Sequence, residues 1–248
     1  MSAVSDKIKT FIQDGTRDIK KAATDLGTDI HSPLPADLVS EVTKATNILH
    51  LFTDSGKNEG ALDQVIPKDV FNKALGLAIF TVIKAGFFWS GRVGSGLVVA
   101  KLDDGTWSPP SCINIGGVGF GPQIGADVTD FIIILNTKEA VKAFCHGENL
   151  TLGGSLSVTA GPVAIGGEVS GSVYEAAALY SYSKSKGLFA GVSLEGTIII
   201  ERKDANKLFY GNPVSAEDIL SGKVERPQGS IDSLYEAIKA AEHREQKE

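Results

Sequence analysis

Apolar and polar positions change their period part-way along the chain. Val4, Ile8, Phe11, Ile12, Ile19 and Leu26 recur mostly at intervals of three, four or seven, which sets them near one face of a helix. Pro33-Leu34-Pro35 ends that helix, because proline removes a backbone donor and restricts the residue before it. A second amphipathic helix is predicted from Asp37 as N-cap through Val42, Ala45, Ile48, Leu49 and Phe52, with Glu41 near its first turn. Residues 54–60 read as a polar loop. From Gly76 the pattern turns strand-like over 77–83, 96–102, 113–120, 124–135, 150–160, 163–174, 177–183 and 188–202. Turns are expected at Asp103-Asp104-Gly105 and Gly161-Pro162, and 180–196 reads as strand, turn, strand. A helix over 137–144 interrupts the series and a helical region over 215–248 closes it.

The expected architecture is α+β, a strongly curved, mainly antiparallel sheet or partial barrel with N-terminal and C-terminal helices. Of the chain's 28 glycines, 20 lie between Gly86 and Gly196, and glycine accepts the bulges and close approaches that a curling sheet needs. Residues 1–32 are expected to form an amphipathic arm, 33–240 one domain and 241–248 a charged tail.

Charge narrows the function. The formal net charge of −6 over 248 residues argues against a basic sleeve for nucleic acid. Gly91-x-x-Gly94-x-Gly96 and Gly116-Gly117-x-Gly119-x-Gly121 complete no dinucleotide fingerprint and open no predicted helix, and no GxxxxGK[ST] or GxSxG sequence occurs. Neither a nucleotide nor a catalytic constellation is expected. Four scattered histidines and the pair Cys145-His146 offer no tetrahedral zinc set, and Cys112 and Cys145 cannot build a disulfide framework. With no apolar leader at the start, a reducing cytosol fits. The longest apolar run, 74–83, is too short to span a bilayer.

Strand parity puts three acids on polar strand faces: Asp127 with Gln123 and Thr129, Glu168 with Ser170 and Ser172, and Glu195 with Ser193 and Thr197. On neighbouring strands they could hold Ca2+ through oxygen ligands; the plainer alternative is a wet sheet face whose acids pair with Lys184, Lys186 or Arg202. Asp130 falls on the apolar parity and is expected to be buried and held by backbone donors.

Several ordered blocks identify a family. Ile79-Phe80-Thr81-Val82-Ile83-Lys84-Ala85-Gly86-Phe87, Gly94-Ser95-Gly96, Asp104-Gly105-x-Trp107-Ser108-x-Pro110-Ser111, Asn149 to Gly154, Tyr182 to Gly196 and Glu201-Arg-Lys-Asp-Ala-Asn206 together resemble the SYLF domain, over about 33–235. The resemblance implies a non-enzymatic module that binds phosphoinositide membranes and, in the fungal branch, binds and bundles actin at endocytic sites. Such modules are often fused to a Src-homology-three or FYVE domain, and neither occurs in these residues. The implied localisation is cytoplasmic and peripheral, at the plasma membrane, cortical actin or endosomes.

For lipid contact the basic candidates are Lys84, Arg92, Lys184 and Lys186, with Trp89 as an interfacial anchor beside Phe87 and Phe88. The competing expectation for Phe87, Phe88 and Trp89 is burial in the core or under the N-terminal helices. In the family, the segment matching 33–52 is a basic helix used on membranes; here Lys44 is its only lysine or arginine. For actin, the candidates are Lys7, Lys9, Arg17, Lys20 and Lys21 of the arm.

Overall fold

A computed structural model describes residues 31–53, 66–146, 149–164, 167–169 and 179–244, with 146, 149–164, 167–169 and 186–195 described in backbone only. The elements in order are α1 (Leu38–Thr53), α2 (Lys68–Asn72), β1 (Gly76–Ala100), β2 (Ser111–Leu135), α3 (Lys138–His146), β3 (Asn149–Ala164), β4 (Gly167–Val169), β5 (Leu179–Glu201), α4 (Lys203–Tyr210), α5 (Ala216–Leu220) and α6 (Asp232–His243). The five strands form one antiparallel sheet in the order β1-β2-β5-β3-β4, open and not closed into a barrel. The α+β class and the curled sheet are as the sequence suggests.

Helix α1 begins where capping chemistry demands. Asp37 Oδ1 accepts the Ser40 N–H at 3.0 Å, which holds the carboxyl below its usual pKa and stabilises the helix start by about 1 kcal/mol. Its stripe of Leu38, Val42, Ala45, Ile48, Leu49 and Phe52 is fully buried, packed with Leu234, Ala237, Ile238 and Ala241 of α6 and with Leu77, Ile79, Leu97 and Val99 of β1. The other strand parity, including Ala78, Phe80, Val82, Val98, Ile113, Ile115 and Phe131, packs with Ala140 and Phe144 of α3 and Leu220 of α5.

The strands are longer than the pattern suggested. Segment 77–83 and residues 96–100 of the segment 96–102 fall in the two halves of β1, 113–120 and 124–135 fall in the two halves of β2, and 180–196 runs inside the single strand β5. Glycine-rich stretches that resemble turns are places where strands bend while keeping their partners. Strand β1 doubles back at Phe87-Phe88, where its register with β2 shifts and Phe88 takes φ 59°. Its two halves then press together so closely that a Cβ at Gly94 or Gly96 would overlap the carbonyl oxygens of Thr81 and Ile79, an approach only glycine permits. Gly161-Pro162 likewise sits in β3 at a register shift. The Asp103-Asp104-Gly105 turn is as expected, with Gly105 at φ 83°.

Candidate functional site: an apolar tip at the bend of the sheet

The described helices that cover the sheet pack on one end of it, where burial of β1 and β2 is nearly continuous. Toward the middle of each strand the burial gives way. At the bend, Phe87, Phe88 and Trp89 of β1 meet Val118, Phe120 and Ile124 of β2, and each of the six is 51–68% exposed among the described residues. Register joins them: Phe87 lies opposite Ile124 and Trp89 opposite Phe120. The Trp89 and Phe120 rings are 4.6 Å apart, and Phe87 and Phe88 meet edge to face at 4.6 Å. Gln123 Nε2 donates to the Phe88 carbonyl at 3.3 Å, tying the two bends together.

Charge is sparse at this end of the sheet, where Glu195 is the residue opposite Gly119, between the rows of Val118 and Phe120. No Asp, Glu, Lys or Arg occurs in 85–91, in 111–126, in 187–194 or anywhere in β3. The register aligns these runs, since Ile124 is opposite Ala190 and Ala190 opposite Val158. Arg92, half-buried on the row of Gly117 and Thr197, stands at the margin.

The structure redistributes the candidate residues. The expectation that Phe87, Phe88 and Trp89 are core is corrected, because the bend carries them beyond every described helix. Lys84 is 4% exposed and opposite the buried Asp127, so its ammonium belongs to the interior and not to a surface cluster. Lys184 is half-buried opposite Asp130, and Lys186 lies opposite Val128. Lys184 and Lys84 fall on opposite faces, since Lys84 pairs through Asp127 with Gly187 and Lys184 pairs through Asp130 with Thr81. Val118, Phe120 and Ile124 were missed because glycines surround them, and the glycines explained the segment as curvature alone.

Asp127 is 7% exposed, and its Oδ2 accepts the Thr129 hydroxyl at 2.8 Å. Glu195 lies opposite Gly119 and Gly153, and Glu168 opposite Ser155, while Asp127 is opposite Gly187, eight residues along β5 from Glu195. Among the described residues no group of three His, Cys, Asp or Glu could hold a metal ion, and the side chains of Glu168 and Glu195 lie outside them. Asp130 is buried as expected, but side chains hold it: His31 Nδ1 and Thr81 Oγ1 each at 2.7 Å. Lys7, Lys9, Arg17, Lys20 and Lys21 lie outside the described residues. No helix among the described residues is long and apolar enough to cross a membrane.

Comparison with known proteins places these features. The family profile Ysc84, described as Las17-binding protein actin regulator, matches residues 116–241. An SH3 domain-containing protein of Schizosaccharomyces pombe is 52% identical over 211 residues, covering 84% of this chain and 49% of the relative. LAS seventeen-binding protein 3 of Saccharomyces cerevisiae is 51% identical over 213 residues, 85% of this chain and 46% of the relative. The human SH3 domain-containing YSC84-like protein 1 is 50% identical over 209 residues, 84% of this chain and 60% of the relative. This chain belongs to the Ysc84 family.

The chain spans about half the length of the curated relatives it matches first. No solved structure matches. Several blocks behind the SYLF resemblance turn out to be scaffolding of the Ysc84 domain. Asn206 of α4 accepts the Cys112 N–H at 2.9 Å and donates to Ser111 Oγ at 3.1 Å. Arg202 bonds the Ala36 carbonyl, and Trp107 Nε1 reaches Glu242 at 3.3 Å. Lys44 is buried too, bonded to Glu41 at 2.6 Å and to Ser95 Oγ and carbonyl at 2.9 Å, and burial lowers its pKa. Helix α1 in this Ysc84 domain is thus a core element.

Proposed function

We propose that this chain is a non-enzymatic module that docks peripherally on phosphoinositide-containing membranes at cytoplasmic cortical actin sites. The observation that carries the reading is the tip: six exposed apolar side chains, four of them aromatic, at the bend of the sheet with Arg92 at its margin. Indole and phenyl rings partition to the headgroup depth of a bilayer, and a marginal guanidinium suits lipid phosphate. The actin side of the proposal draws on the family, whose profile is that of actin regulators. On a second reading, the chain binds and bundles filaments directly and touches membranes weakly; the family description favours it equally.

Cosedimentation separates the two. The purified chain should pellet with phosphoinositide liposomes, and Trp89→Ser/Phe120→Ser should lower liposome binding by at least roughly tenfold while actin pelleting is unchanged. Liposome pelleting that survives this double substitution defeats the docking reading. Pelleting with filaments but not with liposomes favours the second.

A further inference from the structure

One face of the bent sheet is an inside. The two halves of β1 meet on it, since a Cβ at Gly94 would touch Val82, one at Gly96 would touch Phe80 and one at Gly86 would touch Ser90. At the helical end this face is apolar, with Phe80, Val82, Val98, Ile115 and Phe131 in one buried cluster. Toward the bend the same parity changes chemistry. Lys84 follows Val82, Thr129 and Asp127 precede Phe131, Ser185 lies opposite Thr129, and Ser90 and Gln123 complete the set. These six polar residues are only 4–8% exposed. Arg92 continues the face, and the Ser90 row runs through Gly119 to Glu195.

The bend end is thus inverted relative to the helical end: its buried face is polar, while Trp89, Val118 and Phe120 on the alternate parity are exposed. The two ends are therefore held by different forces. Burial of apolar side chains drives the helical end shut, and opening it would return that surface to water. At the bend the buried groups are the Thr129 hydroxyl, bonded to Asp127 Oδ2 at 2.8 Å and 2.6 Å from Ser185 Oγ, and Lys84 opposite Asp127. Hydroxyls and paired charges exchange these contacts for water at little net cost. Gln123 Oε1, buried without a partner, gains a hydrogen bond when water enters.

We infer that the bend end is a conformational unit of its own: the stretches 84–92 and 117–129 part and admit water while the helical end keeps its core. The boundary falls between the rows of Val82 and Lys84 in the first half of β1, and between those of Arg92 and Gly94 in the second, where the last apolar side chains of the inner face give way. The closed form withholds Lys84 from any anionic ligand, and the open form presents it. Low-stability units of this kind open without global unfolding. The inference goes beyond the docking reading and does not depend on what the exposed tip touches.

The test is thiol trapping by dithiodipyridine in the full chain carrying Cys145→Ala, so that Cys112, fully buried in the core of the helical end, reports global unfolding. Ser90→Cys and Ser185→Cys, made one at a time, report the bend. Both new thiols should react roughly a hundredfold faster than Cys112, at rates nearly flat in low urea, while trapping of Cys112 rises steeply with urea. Replacing the buried ion pair by apolar side chains, in Lys84→Met/Asp127→Leu, should slow trapping at Ser90→Cys roughly tenfold. New thiols that follow Cys112 through the whole urea series overturn the inference, as does unchanged trapping in the folded double variant. If the double variant does not fold, the urea series decides alone.

Discussion

Phe88 holds a backbone conformation that costs a bulky residue about 1–2 kcal/mol, and it does so in a side chain more than half exposed, so packing gives little in return. Strain of this kind is expected to serve contact rather than stability. Phe88→Gly should therefore raise stability by about 1 kcal/mol in urea unfolding while weakening liposome binding, the two readouts moving in opposite senses. Lys44 illustrates the reverse economy. Its ammonium is buried with Glu41, whose other cation, Arg202, is 3.9 Å away. Lys44→Met should cost about 3 kcal/mol because the carboxylate is left poorly paired. In Lys44→Met/Glu41→Gln the loss should fall short of the sum of the single losses by at least about 1 kcal/mol, measured by a double-mutant cycle. Lysine at a helical position with an acid three residues before it is readable as an ion pair; that both ends are buried under Ser32 and Ser95 depends on β1, far along the chain.

At the scale of elements, helices α1 and α3 were readable because their caps and apolar stripes are local. Asp37 caps α1 as the sequence suggests, and at the start of α3 Thr137 Oγ1 accepts the Ala140 N–H at 3.0 Å. The strands were found but cut short, since the rule that glycine marks a turn has no way to distinguish a bend that keeps its pairing from one that ends it. The same ambiguity concealed half of the tip, as Val118 and Phe120 stand between glycines. Gly91 and Gly96 test the distinction. At Gly96 a Cβ would meet the Ile79 carbonyl and the Phe80 backbone, so Gly96→Ala should cost about 3 kcal/mol or prevent folding. Gly91 has nothing within 4 Å of such an atom, and Gly91→Ala should leave the urea midpoint within about 0.5 kcal/mol of the parent.

Across the whole molecule, burial sets the response to alkali. It pushes the Cys112 thiol from 9.0 up to about 12 and raises the Tyr210 and Tyr235 phenols above their usual range. The folded state therefore keeps protons that the unfolded chain has released, and the stability they contribute is complete below about pH 9 and declines as pH rises through the folded values. Lys44 acts oppositely, since its lowered folded pKa lets stability rise up to the unfolded value of 10.5. Three groups outweigh one, so urea midpoints should fall steadily above about pH 9, and Cys112→Ala should show a shallower slope than the parent. A midpoint that is flat or rising over that range would contradict this assignment.

The separation of helices from tip has a mechanical consequence. Twelve register pairs join β1 to β2 between Gly76 at the helical end and Phe87 at the bend, a span of about 40 Å of strand. Ladder bonds lie across the strands, so a force applied between the two ends pulls along them and strains every bond of the ladder together instead of peeling them one at a time. A domain anchored in lipid at one end and drawn by a moving filament network at the other would be loaded in its strongest direction.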